Sequence, residues 1–201
     1  RRGNFGGPPL FSFLKRTVLA ASIIGVSLGA SAAQPPRAYP LKDFFRNPER
    51  GFFRLADDGR TLGFMQPTSV DGNPARMNIY VQPLQGSTPV GDARQLTSET
   101  ARDISNFFWK GADVVLYQKD FGGDENFHVL AVNAKTGKIT DLTPYEGVRA
   151  GIEDDLEDDP DHVLISHNQR NPEVFDVYRV NVHTGAAELV AQNPGNIVGW
   201  Q

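Results

Sequence analysis

The chain predicts an all-β fold, a partial β-propeller of about three four-stranded antiparallel blades plus the start of a fourth, preceded by a signal peptide. Three observations carry that expectation: a unit that recurs about every fifty residues, short apolar runs of strand composition within each unit, and a basic-then-apolar leader ahead of the first. Self-similarity at such a period marks radial or stacked repeat folds, and four strands in about 40–50 residues is the size of one propeller blade.

The leader comes first in the chain. Lys15 and Arg16 precede an apolar run from Thr17 to Ala30, closed by an A-x-A-like site at Ala30-Ser31-Ala32 or one residue later, the layout of a secretory signal. The run is too short to cross a hydrocarbon core, which takes roughly 20 residues. A cleaved export signal is therefore expected, with no stable membrane span, delivering the protein to a bacterial periplasm or exterior. The stretch "GVSLG", Gly25 to Gly29, matches the G-x-S-x-G pattern of a nucleophile elbow, but that pattern needs a buried strand before it and a helix after it. Ser27 falls inside the expected signal and is read as a coincidence. The resulting division is 1–33 for the N-terminal extension and signal peptide, 34–49 for a linker, and 50–201 for an incomplete propeller with blades at about 50–100, 101–147 and 148–195.

The whole chain carries a formal charge of −4; residues 1–33 hold Arg1, Arg2, Lys15 and Arg16 and no acid, so the remainder stands at −8. A surface that acidic argues against nucleic acid as a partner, because phosphate binding requires clustered cations. Cysteine is absent, which removes disulfides, thiol nucleophiles and thiolate metal sites.

Within the repeat, "TLGFMQ" from Thr61, "DVVLYQ" from Asp113 and "DHVLIS" from Asp161 align at spacings of 52 and 48. A second run follows each, "MNIYVQPL" from Met77, "FHVLAVNA" from Phe127 and "FDVYRVNV" from Phe175, at spacings of 50 and 48. A turn and a fourth short run come next, "KTGKITDLT" (135–143) and "HTGAAELVA" (183–191), with "QGSTPVGDARQLT" (85–97) as a looser copy. Leading strands are "GFFRLA" (51–56), "ISNFFWK" (104–110) and "GVRAGI" (147–152), and "NIVGW" (196–200) is expected to open a fourth unit. These runs are β-branched or aromatic, partly alternating, and bounded by Gly, Pro, Asn and Asp, which is strand and turn chemistry. Blades bury their faces only against neighbours, so three leave two apolar flanks that call for further blades.

Strands that alternate in direction send the second-to-third connections to one end: "PTSVDGNPAR" (67–76), "KDFGGDEN" (119–126) and "HNQRNPE" (167–173). Long charged loops on a rigid scaffold are the favoured place for recognition. Asp71, Arg76, Asp124, Glu125, Arg170 and Glu173 are the candidate substrate- or partner-facing residues. The run "EDDLEDDPD" (153–161) lacks the residue order of a Ca²⁺ loop and is read as a solvated connection. The aromatics of "NFFW" (106–109), with Phe52 and Phe53, are expected in the core between blades. His128, His162, His167 and His183 are scattered without zinc-ligand spacing, so neither a metal nor a cofactor is expected. No Ser/His/Asp constellation assembles from these residues, so the chain itself carries no catalytic triad.

With the repeats placed, the chain resembles the N-terminal part of an exported member of the prolyl oligopeptidase family of serine peptidases, family S9. The resemblance runs from about Tyr39 to Gln201 on "FFRNPERGFFRLADDGRTLGF" (44–64), "QLTSETARDISNFFWKGADVVLYQKDFGGDENFHVLAVN" (95–133) and "DDLEDDPDHVLISHNQRNPEVFDVYRVN" (154–181). It implies a propeller that gates access of short peptides to a C-terminal α/β-hydrolase domain bearing Ser, Asp and His. That domain, the remaining blades and a peptide substrate are the implied partners. Relatives that trim dipeptides use paired propeller glutamates on a helical insert; no Glu-Glu pair occurs here, which argues against dipeptidyl specificity. A non-catalytic periplasmic propeller resembling TolB, binding a protein at the same end, is the alternative.

Overall fold

The computed structural model describes residues 39–44 and 49–200, so the expected signal peptide, Ser27 and most of the linker lie outside the described residues. The chain divides into two units, Arg1–Phe45 and Arg46–Gln201. In the first, the described part is a single helical turn, α1 (Leu41–Phe44), beside which the rings of Tyr39 and Phe44 meet edge to face.

The second unit holds three successive antiparallel sheets. The first is built from β1 (Gly51–Leu55), β2 (Thr61–Thr68) and β3 (Arg76–Gln85), with β4 (Thr88–Pro89) folding back on the end of β3 and β5 (Arg94–Gln95) as the outer strand. It therefore has five strands. The second is β6 (Phe107–Lys110), β7 (Val114–Lys119), β8 (His128–Asn133) and β9 (Ile139–Asp141), in that spatial order. The third is β10 (Ala150–Asp154), β11 (His162–Asn171), β12 (Val174–Asn181) and β13 (Ala187–Ala191), again in order.

The middle sheet explains why its strands read as unbroken apolar runs. Successive strand side chains point to opposite faces. On β7, Val115 and Tyr117 enter a core shared with Met65, Ile79 and Val81 of the first sheet, while Val114 and Leu116 enter one shared with Val163, Ile165 and Val180 of the third. β8 divides likewise, Leu130 and Val132 against Val129 and Ala131. Burial on both faces removes the need for polar alternation, and each fully buried large apolar side chain contributes roughly 1.5–3 kcal/mol.

Local chemistry repeats as the spacing does. At the turns after β8 and β12, Asn133 and Asn181 each accept hydrogen bonds through Oδ1 from the next turn's backbone and threonine hydroxyl, and Gly137 and Gly185 take the left-handed conformation that closes them. A clamp near the start of each third strand also recurs. Asn78 Oδ1 accepts from Thr97 Oγ1 at 2.9 Å, His128 Nδ1 lies 2.8 Å from Asp141 Oδ2, and Asp176 Oδ1 accepts from the Asn193 amide at 2.7 Å.

Three expectations are corrected. Residues 196–200 form no strand; the segment is instead tied back to the third sheet, where Asn193 Nδ2 donates to the Ile197 carbonyl at 2.8 Å and Trp200 Nε1 to the Phe175 carbonyl at 3.1 Å. The stretch 167–173 is not a long loop, because β11 continues to Asn171 through a register shift and only a tight tip separates it from β12. Phe107 and Trp109 do enter the core, but Phe52 and Phe53 are 54% and 57% exposed. An irregularity between Gly51 and Arg54, with Phe52 at φ 55°, breaks the alternation that would have turned them inward.

Candidate functional site

The β2–β3, β7–β8 and β11–β12 tips share one end of the second unit with the connections between successive sheets. Hydrogen bonds fasten them there: the Ile104 amide donates to the Met77 carbonyl at 3.1 Å, the Ala150 amide to the Phe127 carbonyl at 2.8 Å, and the Arg149 amide to Asn168 Oδ1 at 2.8 Å.

A groove of about 380 Å³ opens at this end between residues 99–105 and the β7–β8 tip. Two ion pairs shape its walls. Lys119 Nζ donates to both carboxylate oxygens of Glu99 at 2.8 Å, and Arg102 Nη1 to Asp120 Oδ2 at 2.7 Å. The Asp120 side chain is 5% exposed, so this bond offsets the desolvation of a nearly buried carboxylate. Asp103 Oδ1 accepts from the Met77 amide at 2.8 Å. Phe121 and Phe127 also line the groove and remain substantially exposed. Gly123 takes φ 81°, a conformation that residues with a side chain rarely adopt.

The structure places the six candidate residues unequally. Asp71 is exposed on the β2–β3 tip with φ 51°. Arg76 begins β3 and donates through Nε to the Ala101 carbonyl at 3.0 Å, tying the hairpin to the next connection. Asp124 accepts from the Asn126 side chain at 3.0 Å and its amide at 3.1 Å, which hold its carboxyl below the usual range. Glu125 lines the groove with no bonding partner among the described residues. Arg170 lies in a strand and forms a bidentate pair with Asp176, at 2.6 and 2.7 Å, and also donates to the Asn193 carbonyl at 2.9 Å. That contact holds the buried Asp176 ionised and raises the Arg170 pKa further. Glu173 lines a separate groove of about 500 Å³ beside Arg149, Phe175 and Trp200.

The sequence did not single out Glu99, Arg102, Phe121 or Phe127. The last two bracket the "DFGGDENF" tip, and apolar residues flanking a polar, glycine-rich turn were the available signal. The acidic run 153–161 sits at the opposite end of the strands. There Lys110, 4% exposed, is held by the Asp155 and Leu156 carbonyls, and Asp159, paired with Arg179 and His162, is kept strongly ionised. Among the described residues none of the four histidines hydrogen-bonds a serine: His128, His162 and His183 face Asp141, Asp159 and Asp161, and His167 is stacked on Tyr178.

No family model matches the chain. It is 33% identical over 196 residues, 92% of its length, to dipeptidyl aminopeptidase BIII of Pseudoxanthomonas mexicana. It is 29% identical over 165 residues, 77% of its length, to dipeptidyl peptidase family member 6 of Caenorhabditis elegans. The chain belongs to peptidase family S9. These alignments cover 27% and 21% of the relatives' own lengths, so this S9 chain spans about a quarter of each. Among solved structures it is similar to TolB from Agrobacterium tumefaciens, with 20% identity and TM-score 0.43 over 73% of this chain and 47% of that one. It is also similar to a puromycin-hydrolysing peptidase of Mycobacterium tuberculosis, with 13% identity and TM-score 0.39 over 73% and 29%.

Proposed function

We propose that this chain is the substrate-gating propeller segment of an exported, periplasmic or secreted S9 serine peptidase acting on short peptides. The observation that carries it is one-third identity to a dipeptidyl aminopeptidase across nine-tenths of the chain. Bond cleavage is assigned to Ser, Asp and His of an α/β-hydrolase domain that this stretch does not include, with the serine attacking the scissile carbonyl and the histidine moving the proton. The part assigned to these residues is steric and electrostatic: a rigid wall of three sheets whose hairpin tips admit an extended peptide and exclude folded protein. The names of both curated relatives favour release of dipeptides, a specificity against which the missing glutamate pair argues. Among the described residues no helix is long and apolar enough to cross a membrane.

The test is the full-length protein encoded by the complete reading frame. A G-x-S-x-G elbow with a later Asp and His, and hydrolysis of short peptide amides that is lost on replacing that serine, are the expected results; the 201-residue chain alone should be inert. A complete frame without a hydrolase domain would overturn the proposal in favour of a protein-binding module.

A further inference from the structure

We propose that the groove between residues 99–105 and the β7–β8 tip is a subsite for an extended peptide carrying a lysine or arginine side chain beside an apolar one. The proposal rests on the peptidase reading for the source of the peptide. The chemistry comes from the groove itself. Its two basic side chains, Lys119 and Arg102, are each neutralised by an acid, Glu99 and Asp120. Asp103 is engaged by the Met77 amide. Glu125 is left as a carboxylate with no partner among the described residues, on an exposed tip at φ 61°, a conformation that glycine or asparagine would adopt more readily.

Two aromatic rings line the same groove as that carboxylate and remain exposed, 58% for Phe121 and 38% for Phe127. Phe121 already attracts a cation, since Lys119 Nζ lies 4.4 Å from its ring centre. A lysine or arginine side chain matches both features at once, with a methylene stem to cover the rings and a charge to meet Glu125. A peptide's terminal ammonium has no such stem. The surplus negative charge of the groove also disfavours acidic peptides.

The experiment uses the full chain and a fluorescent peptide, acetylated and amidated at its ends, in which one lysine adjoins a leucine. Fluorescence anisotropy compares it with peptides carrying norleucine or glutamate in place of the lysine, at low and high salt. The lysine peptide should bind about fivefold more tightly than the norleucine one, the affinity ratio expected of one partly exposed ion pair. Glu125→Gln should erase that preference, Phe121→Ser should weaken both peptides, and Glu173→Gln at the other groove should change nothing. Equal binding of the lysine and glutamate peptides, a preference that survives Glu125→Gln in a chain of unchanged circular dichroism, or binding only by peptides with a free amino terminus would each overturn the proposal. Because no cleavage is read, its failure leaves the peptidase reading standing. A full-length protein without a hydrolase domain would overturn that reading and leave this binding measurable.

Discussion

Replacing Gly63 by alanine should destabilise the packing of the first sheet on the second. Gly63 lies in β2, and a Cβ there would meet Phe107 Cε2 at 2.8 Å, Phe107 Cζ at 3.0 Å and Trp109 Nε1 at 3.0 Å. Neither ring can step aside freely. Phe107 is fully buried, and Trp109 is held by a bond from Nε1 to the Arg54 carbonyl at 3.1 Å. Forcing a methyl into such a site costs about 1–3 kcal/mol, against which loss of glycine's freedom in the unfolded chain returns about 0.5–1 kcal/mol. A net loss of about 1–2 kcal/mol remains, and with a urea dependence of about 2 kcal/mol per molar the midpoint should fall by roughly 0.5–1 M. Gly151→Ala is the internal control: its Cβ would meet nothing nearer than Ser166 Oγ at 3.8 Å, so the entropic gain should stand alone. Urea titrations followed by tryptophan fluorescence decide it. If Gly63→Ala is as stable as the parent, or if both variants fall equally, the sheets do not meet as described.

Two further outcomes follow from the buried polar groups. His167, stacked 4.1 Å from Tyr178 and 5.1 Å from Tyr145, has its pKa pulled below the ordinary histidine value by burial, opposed by the negative charge of Asp176. The unfolded chain thus takes up a proton first: stability is complete above about pH 6.5 and falls as pH drops through the depressed folded value. His167→Gln should flatten that fall in a pH series of thermal melts; an unchanged slope would show that His167 is not its source. Asp176→Ala strands Arg170 and the Asn193 amide and should lower the melting temperature clearly, whereas Lys135→Ala, which breaks an exposed pair with Asp113, should stay within about 0.5 kcal/mol of the parent. Equal effects would remove the clasp from the list of stabilising contacts.

The strands were legible because their signals are local. "KTG" and "HTG" are Asn-anchored turns whose glycine accepts a positive φ, and β8 and β12 begin within a residue of the runs that predicted them. What escaped depends on partners distant in sequence. "HNQRNPE" reads as loop because it is polar and contains proline, but Arg170 meets Asp176 within the same hairpin, and that pairing lets β11 run on to Asn171. The outward turn of Phe53 follows from a bulge that no composition marks. At the candidate site Glu125 could be named from its place in a charged loop, but its standing as the uncommitted acid could not, since it emerges only when Glu99, Asp103 and Asp120 are seen to be taken.

The recurring clamp at the third strands has a consequence for how such a chain finds its own pairing. Tandem copies of one unit tempt a strand to bond with the wrong neighbour, because the backbone ladders are interchangeable. Here each copy closes with a different lock: amide with hydroxyl at Asn78, imidazole with carboxylate at His128, and carboxylate with backbone amide at Asp176. A third strand bearing Asp176 that strayed onto the partner of His128 would set two carboxylates face to face. Divergence at a single equivalent position thus gives the second copy a reason to refuse the third copy's strand.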